Sequence, residues 1–100
     1  MKGTEMKIKV EIVHNFDEKV IVESNTVAPV IATIGACEQV KQIYVWLYGA
    51  GLHSYEFYYD DRAHKLECND DVIDSCYSET EFQTKVAMYM NHQFTHILGR

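Results

Sequence analysis

Between Lys7 and His14 apolar and polar side chains alternate, with Ile8, Val10 and Ile12 set against Lys7, Lys9 and Glu11. A period of two built from β-branched residues predicts a strand with one buried face. The segment Asn15–Glu18 ("NFDE") supplies turn residues. Lys19–Glu23 then resumes the alternation with Val20 and Val22 inward, completing a β-hairpin.

Ser24–Thr26 breaks the strand, and a helix is expected next. Its start is open: either Pro29 sits in the first turn, or "VAPVIAT" is an extended connector and the helix begins near Gly35. Cys37, Val40, Tyr44 and Leu47 fall at helical spacing, widened by Ile43. Gly49 and Gly51 follow as a stop, because glycine takes the left-handed cap conformation cheaply.

Ser54–Cys68 reads as a second hairpin. Tyr55, Phe57 and Tyr59 share one face, while Glu56, Tyr58 and Asp60 share the other. "DDRA" is its turn, and Leu66 and Cys68 rejoin the inner face. "NDDVIDSCY" (Asn69–Tyr77) reads as a loop. Ser78 with Glu81 three residues on is a capping-box signature. It opens a helix from about Glu79 to Leu98 with the stripe Phe82, Val86, Tyr89, Met90, Phe94 and Ile97. Glu79 and Glu81 suit its N-terminus, and His96 and Arg100 its C-terminus.

The predicted order is β-β-α-β-β-α. The simplest architecture is α+β, an antiparallel sheet of about four strands with two helices packed on one face. Strand order is not readable from the pattern.

Composition adds limits. One hundred residues make a single domain, 1–100, with one modest core. The apolar content of 47% and charged content of 24% are those of a folded globular chain rather than a disordered one. No apolar run is long enough to span a membrane. No signal peptide is read at the start, where Met6 is an alternative first residue. Three cysteines are an odd set for a disulfide framework, so reduced thiols and a cytoplasmic location are expected.

The cysteines and histidines raise a metal question. Seven residues separate Cys68 from Cys76, fifteen separate Cys76 from His92, and three separate His92 from His96. The last two intervals are like those of a Cys2His2 zinc site. The first is too long for the tight turn that aims two sulfurs at one ion. Cys68 and Cys76 then read as small buried hydrophobes, and His92 and His96 as cations suited to a helix C-terminus. A zinc module using Cys68, Cys76, His92 and His96 is the alternative reading, and no cofactor is expected. His64–Cys68 and His92–Cys76 are weaker still as catalytic pairs, since nothing places an orienting group or oxyanion site beside them. Glycine-rich phosphate loops and GxSxG are absent, so no enzyme is read.

Charge is the strongest functional signal. The net charge is −6, yet Glu56–Glu81 alone carries −7. Its acids are Glu56, Asp60, Asp61, Glu67, Asp70, Asp71, Asp74, Glu79 and Glu81, opposed by Arg62 and Lys65. Seven aromatic residues fall between Tyr44 and Tyr59, and Trp46 and Tyr58 lie off the inward stripes. Such a surface repels nucleic acid and anionic membranes and attracts basic partners. A solvated face that aids solubility is the plain reading. The sharper one is a protein-binding surface made of Glu56, Tyr58, Asp60, Asp61, Glu67, Asp70, Asp71, Asp74 and Trp46. It would dock on a basic protein groove, such as that of a nuclease or other nucleic-acid-binding protein. The corresponding classes are inhibitors of nucleic-acid-handling enzymes, namely phage anti-CRISPR or anti-restriction factors and nuclease immunity proteins. A homo-oligomer is compatible with the same pattern.

Overall fold

The first alternating segment forms β1 (Lys7–His14) in the computed structural model, which describes residues 6–14, 18–49 and 51–98. It pairs antiparallel with β2 (Lys19–Ser24), as expected. Of the turn expected at Asn15–Glu18, residues 15–17 lie outside the described residues, as does Arg100.

Two elements follow where one helix was expected. Helix α1 (Val27–Ala36) has Pro29 in its first turn, where the missing N–H would have had no partner anyway. It buries Val30 and Ile34. The segment predicted to be helical through Val40, Ile43, Tyr44 and Leu47 is instead strand β3 (Val40–Tyr48). The reason is a β-bulge. Val13 faces Gln42 and His14 faces Val40, so Lys41 is an extra residue on β3. The bulge lets Val40 and Ile43, three apart, both point inward, and this spacing imitates a helical stripe. Gly49 and Gly51 have φ of 108° and 82° and shape the β3–β4 turn rather than a helix end.

The second hairpin forms as read, from β4 (His53–Asp60) and β5 (Lys65–Cys68) around the turn at residues 61–64. The expected loop after it is a correction. Asn69 and Asp70 take φ of 51° and 72°, the left-handed pair of a two-residue hairpin turn. The chain therefore returns as β6 (Asp71–Ser75). Among the described residues the sheet has six antiparallel strands rather than about four, in the order β2-β1-β3-β4-β5-β6. The element order is β-β-α-β-β-β-β-α.

Helix α2 (Glu79–Leu98) has the expected bounds. The Ser78 hydroxyl accepts from the Glu81 N–H at 3.0 Å, and the Glu81 carboxylate reaches back to the Tyr77 N–H at 2.8 Å. Both bonds satisfy donors that the helix start or the turn before it would leave unpaired.

Both helices cover the same face of the sheet. Ile8, Val10 and Ile12 of β1, Val40, Ile43, Val45 and Leu47 of β3, and Phe57, Tyr59, Leu66 and Cys68 of the second hairpin are buried beneath them. Phe82, Val86, Met90 and Phe94 complete one core, with Tyr89 and Ile97 at its margin. Phe57 meets Tyr89 edge-on at 5.6 Å, and Tyr59 stacks on Phe82 at 6.0 Å. Buried Gln83 donates to the Gly35 carbonyl at 2.8 Å, capping the end of α1 from α2. Among the described residues no helix is long and apolar enough to cross a membrane.

Because Phe57 and Phe94 are almost wholly enclosed, Phe57→Ala or Phe94→Ala should each cost about 3–5 kcal/mol. Urea denaturation of each variant against the parent protein measures this, and a change within error would place that ring outside the core.

Candidate protein-binding surface

Among the described residues no helix covers the outer face of the sheet. Its rows follow from the strand registers. Lys9 lies beside Trp46, which lies beside Ser54; Glu11 lies beside Tyr44 and then Glu56; Gln42 lies beside Tyr58, Glu67 and then Val72. Tyr44 and Trp46 are two apart on β3 and therefore share this face. Their rings stack at 5.8 Å with 17° between planes. The Lys9 ammonium sits 5.1 Å from the Trp46 ring centre, a cation–π contact. The stacked pair forms a ridge between two shallow clefts. One, of about 380 Å³, is bounded by Glu11, Val13, Lys19 and Gln42. The other, of about 210 Å³, is bounded by Ser54, Glu56 and Asn69.

Asn69 ties the β5–β6 turn to β4. Its side chain accepts from the Glu56 N–H at 2.8 Å and donates to the Ser54 carbonyl at 3.3 Å. Its own N–H donates to the Glu56 carbonyl at 2.9 Å. The second cleft is thus walled by a turn with a fixed position.

The residues expected to form the surface are divided by the fold. Trp46, Glu56, Tyr58 and Glu67 share the bare face, with Tyr58 40% exposed. Asp60 ends β4 on that face, and its carboxylate accepts from the N–H groups of Arg62 and Ala63, which holds the turn. Asp61 accepts from the Lys41 ammonium at 2.8 Å. This hydrogen bond and the lysine charge hold the Asp61 carboxyl below the usual range. Asp70 occupies the left-handed turn, whereas Asp71 and Asp74 pair with the inward residues Cys68 and Leu66 and so belong to the helix side of β6.

Lys85 pairs with two more acids and offsets one of their charges. Its ammonium lies 3.2 Å from Asp74 and 2.9 Å from Glu81, and donates to the Ser75 carbonyl at 2.8 Å. The nine acids of Glu56–Glu81 thus face four cations, Arg62, Lys65, Lys41 and Lys85, which leaves five negative charges in place of seven. Sequence reasoning also passed over Tyr44, assigned to a helical core stripe, although it forms half of the outward-facing, half-buried ridge.

The four residues of the zinc alternative do not converge on one point. Cys68 and Cys76 are buried, and the Cys76 thiol donates to the Ser78 carbonyl at 3.3 Å, at the N-terminal end of α2. His92 and His96 are exposed near the other end, about 20 Å further along at 1.5 Å rise per residue. Among the described residues no three His, Cys, Asp or Glu side chains converge to hold a metal ion. The three cysteines are free thiols. Burial pushes Cys37 and Cys68 up to about 11, and Cys76 above its usual value. His64 stacks on Tyr77 at 4.8 Å.

Comparison of the chain with protein-family models, with curated proteins and with solved structures gives no match.

Two outcomes follow from these environments. The Ser75 N–H and Lys85 hold Asp74 below its ordinary value, and Lys85 with the Tyr77 N–H does so for Glu81. A depressed carboxyl contributes stability above its unfolded pKa, and that contribution is lost as pH falls through the folded one. The unfolded values are 3.8 and 4.5. Lys85→Met should therefore lower the Tm at pH 7 and lower it much less below about pH 3; equal losses at both pH values would show that the ion pairs contribute nothing. The second outcome concerns the thiols. In the folded protein at pH 8, Cys68 and Cys76 should resist a thiol-specific reagent and react on unfolding, as mass spectrometry can follow. Rapid native labelling of either would mark an accessible thiolate.

Proposed function

We propose that the protein is a small protein-binding module whose bare sheet face docks on a basic groove of its partner. The observation that carries this reading is the half-buried Tyr44–Trp46 stack on the face opposite the helices, with exposed Tyr58 and Glu56, and Glu67, beside it on neighbouring strands. Tyr and Trp are favoured interface anchors, since they offer large contact area at little cost in side-chain freedom. Carboxylates beside them steer a cationic surface into place. The chain's charge of −6 disfavours direct binding of nucleic acid.

The finer reading is inhibition of a nucleic-acid-handling enzyme, with carboxylates standing where phosphates would lie. Support for it comes from small size, acidity and a row of acids along one side of an aromatic ridge. Glu56 and Asp60 lie four apart on β4, with Glu67 on the next strand. Phage anti-defence factors and nuclease immunity proteins are the classes in which such a surface has a use.

The test begins with the partner recovered from the native host. Glu56→Lys combined with Glu67→Lys leaves the turn at Asp60 intact and should slow association at least tenfold at low salt. The difference should shrink as salt rises, because exposed charges are screened beyond about 8 Å at physiological ionic strength. Trp46→Ala or Tyr58→Ala should instead speed dissociation. Nucleic acid should compete for the partner. A partner that binds DNA or RNA equally well with this protein attached refutes phosphate mimicry, and one indifferent to all four substitutions refutes the surface.

A further inference from the structure

The two edges of the sheet are differently guarded. At one edge, β6 is bulged at Ile73 and carries Asp71 and Asp74, so a second β6 laid against it would meet like charges. Bulges and repeated charge are the usual means of keeping an edge from pairing with its own copy. At the other edge, β2 has no proline, and its register with β1 is unbroken from Val20 to Ser24. Its apolar centre is open, with Val20 43% and Ile21 55% exposed.

The sequence of β2 is complementary to itself. Lys19-Val20-Ile21-Val22-Glu23 reads cation, three β-branched residues, anion. If a second β2 runs antiparallel beside it with Ile21 opposite Ile21, then Val20 meets Val22 and Lys19 meets Glu23, twice over by symmetry. This register keeps the faces consistent. Lys19, Ile21 and Glu23 of both copies lie on the outer face, and Val20 and Val22 of both on the helix side. It also maps alternate residues onto alternate residues, so whichever set of β2 amides points outward meets the matching set. Registers shifted by two residues lose the pairing of Lys19 with Glu23 and set a charge opposite an apolar residue. The charges are already placed for it: Lys19 lies 3.4 Å from Glu11, and Glu23 lies 3.6 Å from Lys7. Pairing extends a ladder of alternating sign across the axis.

Helix α1 is a second, independent observation at the same edge. It packs on β1 and β2 with α2 on its other flank, so it is the outermost helix on the β2 side. None of its ten residues is charged, and it exposes Ala28, Pro29, Ala32, Gly35 and Ala36. A surface helix ordinarily carries a polar face. Small side chains permit close approach of a neighbouring backbone. We infer that the protein forms a two-fold symmetric dimer through β2, joining two six-stranded sheets into one of twelve strands, with α1 beside the axis. The interface is isologous, as a two-fold requires. It lies at the opposite edge from β6 and does not depend on the proposed partner-binding surface.

The test is molar mass in solution, with the register read by charge at residue 21. The parent protein should approach twice 11.6 kDa as its concentration is raised over roughly two orders of magnitude. Ile21→Lys and Ile21→Glu place like charges at the axis, and each alone should be monomeric with an unchanged circular dichroism spectrum. An equimolar mixture of the two variants should restore the dimer, because opposite charges then meet. A parent protein that stays at monomer mass throughout overturns the inference. So does an Ile21→Lys variant that still dimerises, which would move the interface elsewhere, or a mixture of folded variants that does not pair.

Discussion

A sheet covered on one side only must send alternate side chains into two unlike environments, and β3 is where that constraint is tightest. It is paired on both sides, joining the first hairpin to the β4–β5–β6 meander. Its inward residues Val40, Ile43, Val45 and Leu47 are fully enclosed, while Tyr44 and Trp46 face out. A slip of one residue would exchange these sets, placing an indole and a phenol in the core and four aliphatic side chains in water. The bulge at Lys41 is part of the same solution. It keeps Val40 buried at the start of the strand and leaves Lys41 able to meet Asp61.

The helices hold to this sheet by different means. Helix α2 supplies its own N-terminal hydrogen bonds through Ser78 and Glu81 and fixes the β6 edge through Lys85. Helix α1 has no side-chain cap at Thr26, no acid in its first turn and no base in its last. Its order comes from burial of Val30 and Ile34 and from the Gln83 amide at its end. The helix that most needs support thus receives it from α2, as expected where packing outweighs intrinsic propensity.

How much could be read beforehand followed the range of the interaction concerned. Helix α2 and both hairpins rest on contacts within a few residues, and their signals were present in Ser78 with Glu81 and in the alternation of Tyr55, Phe57 and Tyr59. Strand β3 was misread because a bulge converts period two into a spacing of three. Strand β6 was missed because all five of its residues are exposed, which leaves no alternation to see; the Asn69–Asp70 pair, tolerant of left-handed backbone, was its one local sign. The acidic excess was legible as a count. Its partial neutralisation by Lys41 was not, since Lys41 and Asp61 are twenty residues apart and meet only in the fold. The outer-face ridge was half legible, because placing Trp46 outward required no knowledge of the strand but placing Tyr44 did.

One-sided coverage also divides the chain's tolerance to change. Along β3, positions 43, 45 and 47 are constrained by packing, where loss of even a methylene is felt. Positions 44, 46 and 48 face the other way, where packing asks less, and substitutions at an exposed site such as 48 usually shift stability within about 0.5 kcal/mol. Alternate codons of a single strand are therefore free to drift at unequal rates. A lineage could exchange one binding target for another by rewriting every second residue, with the scaffold beneath left unaltered.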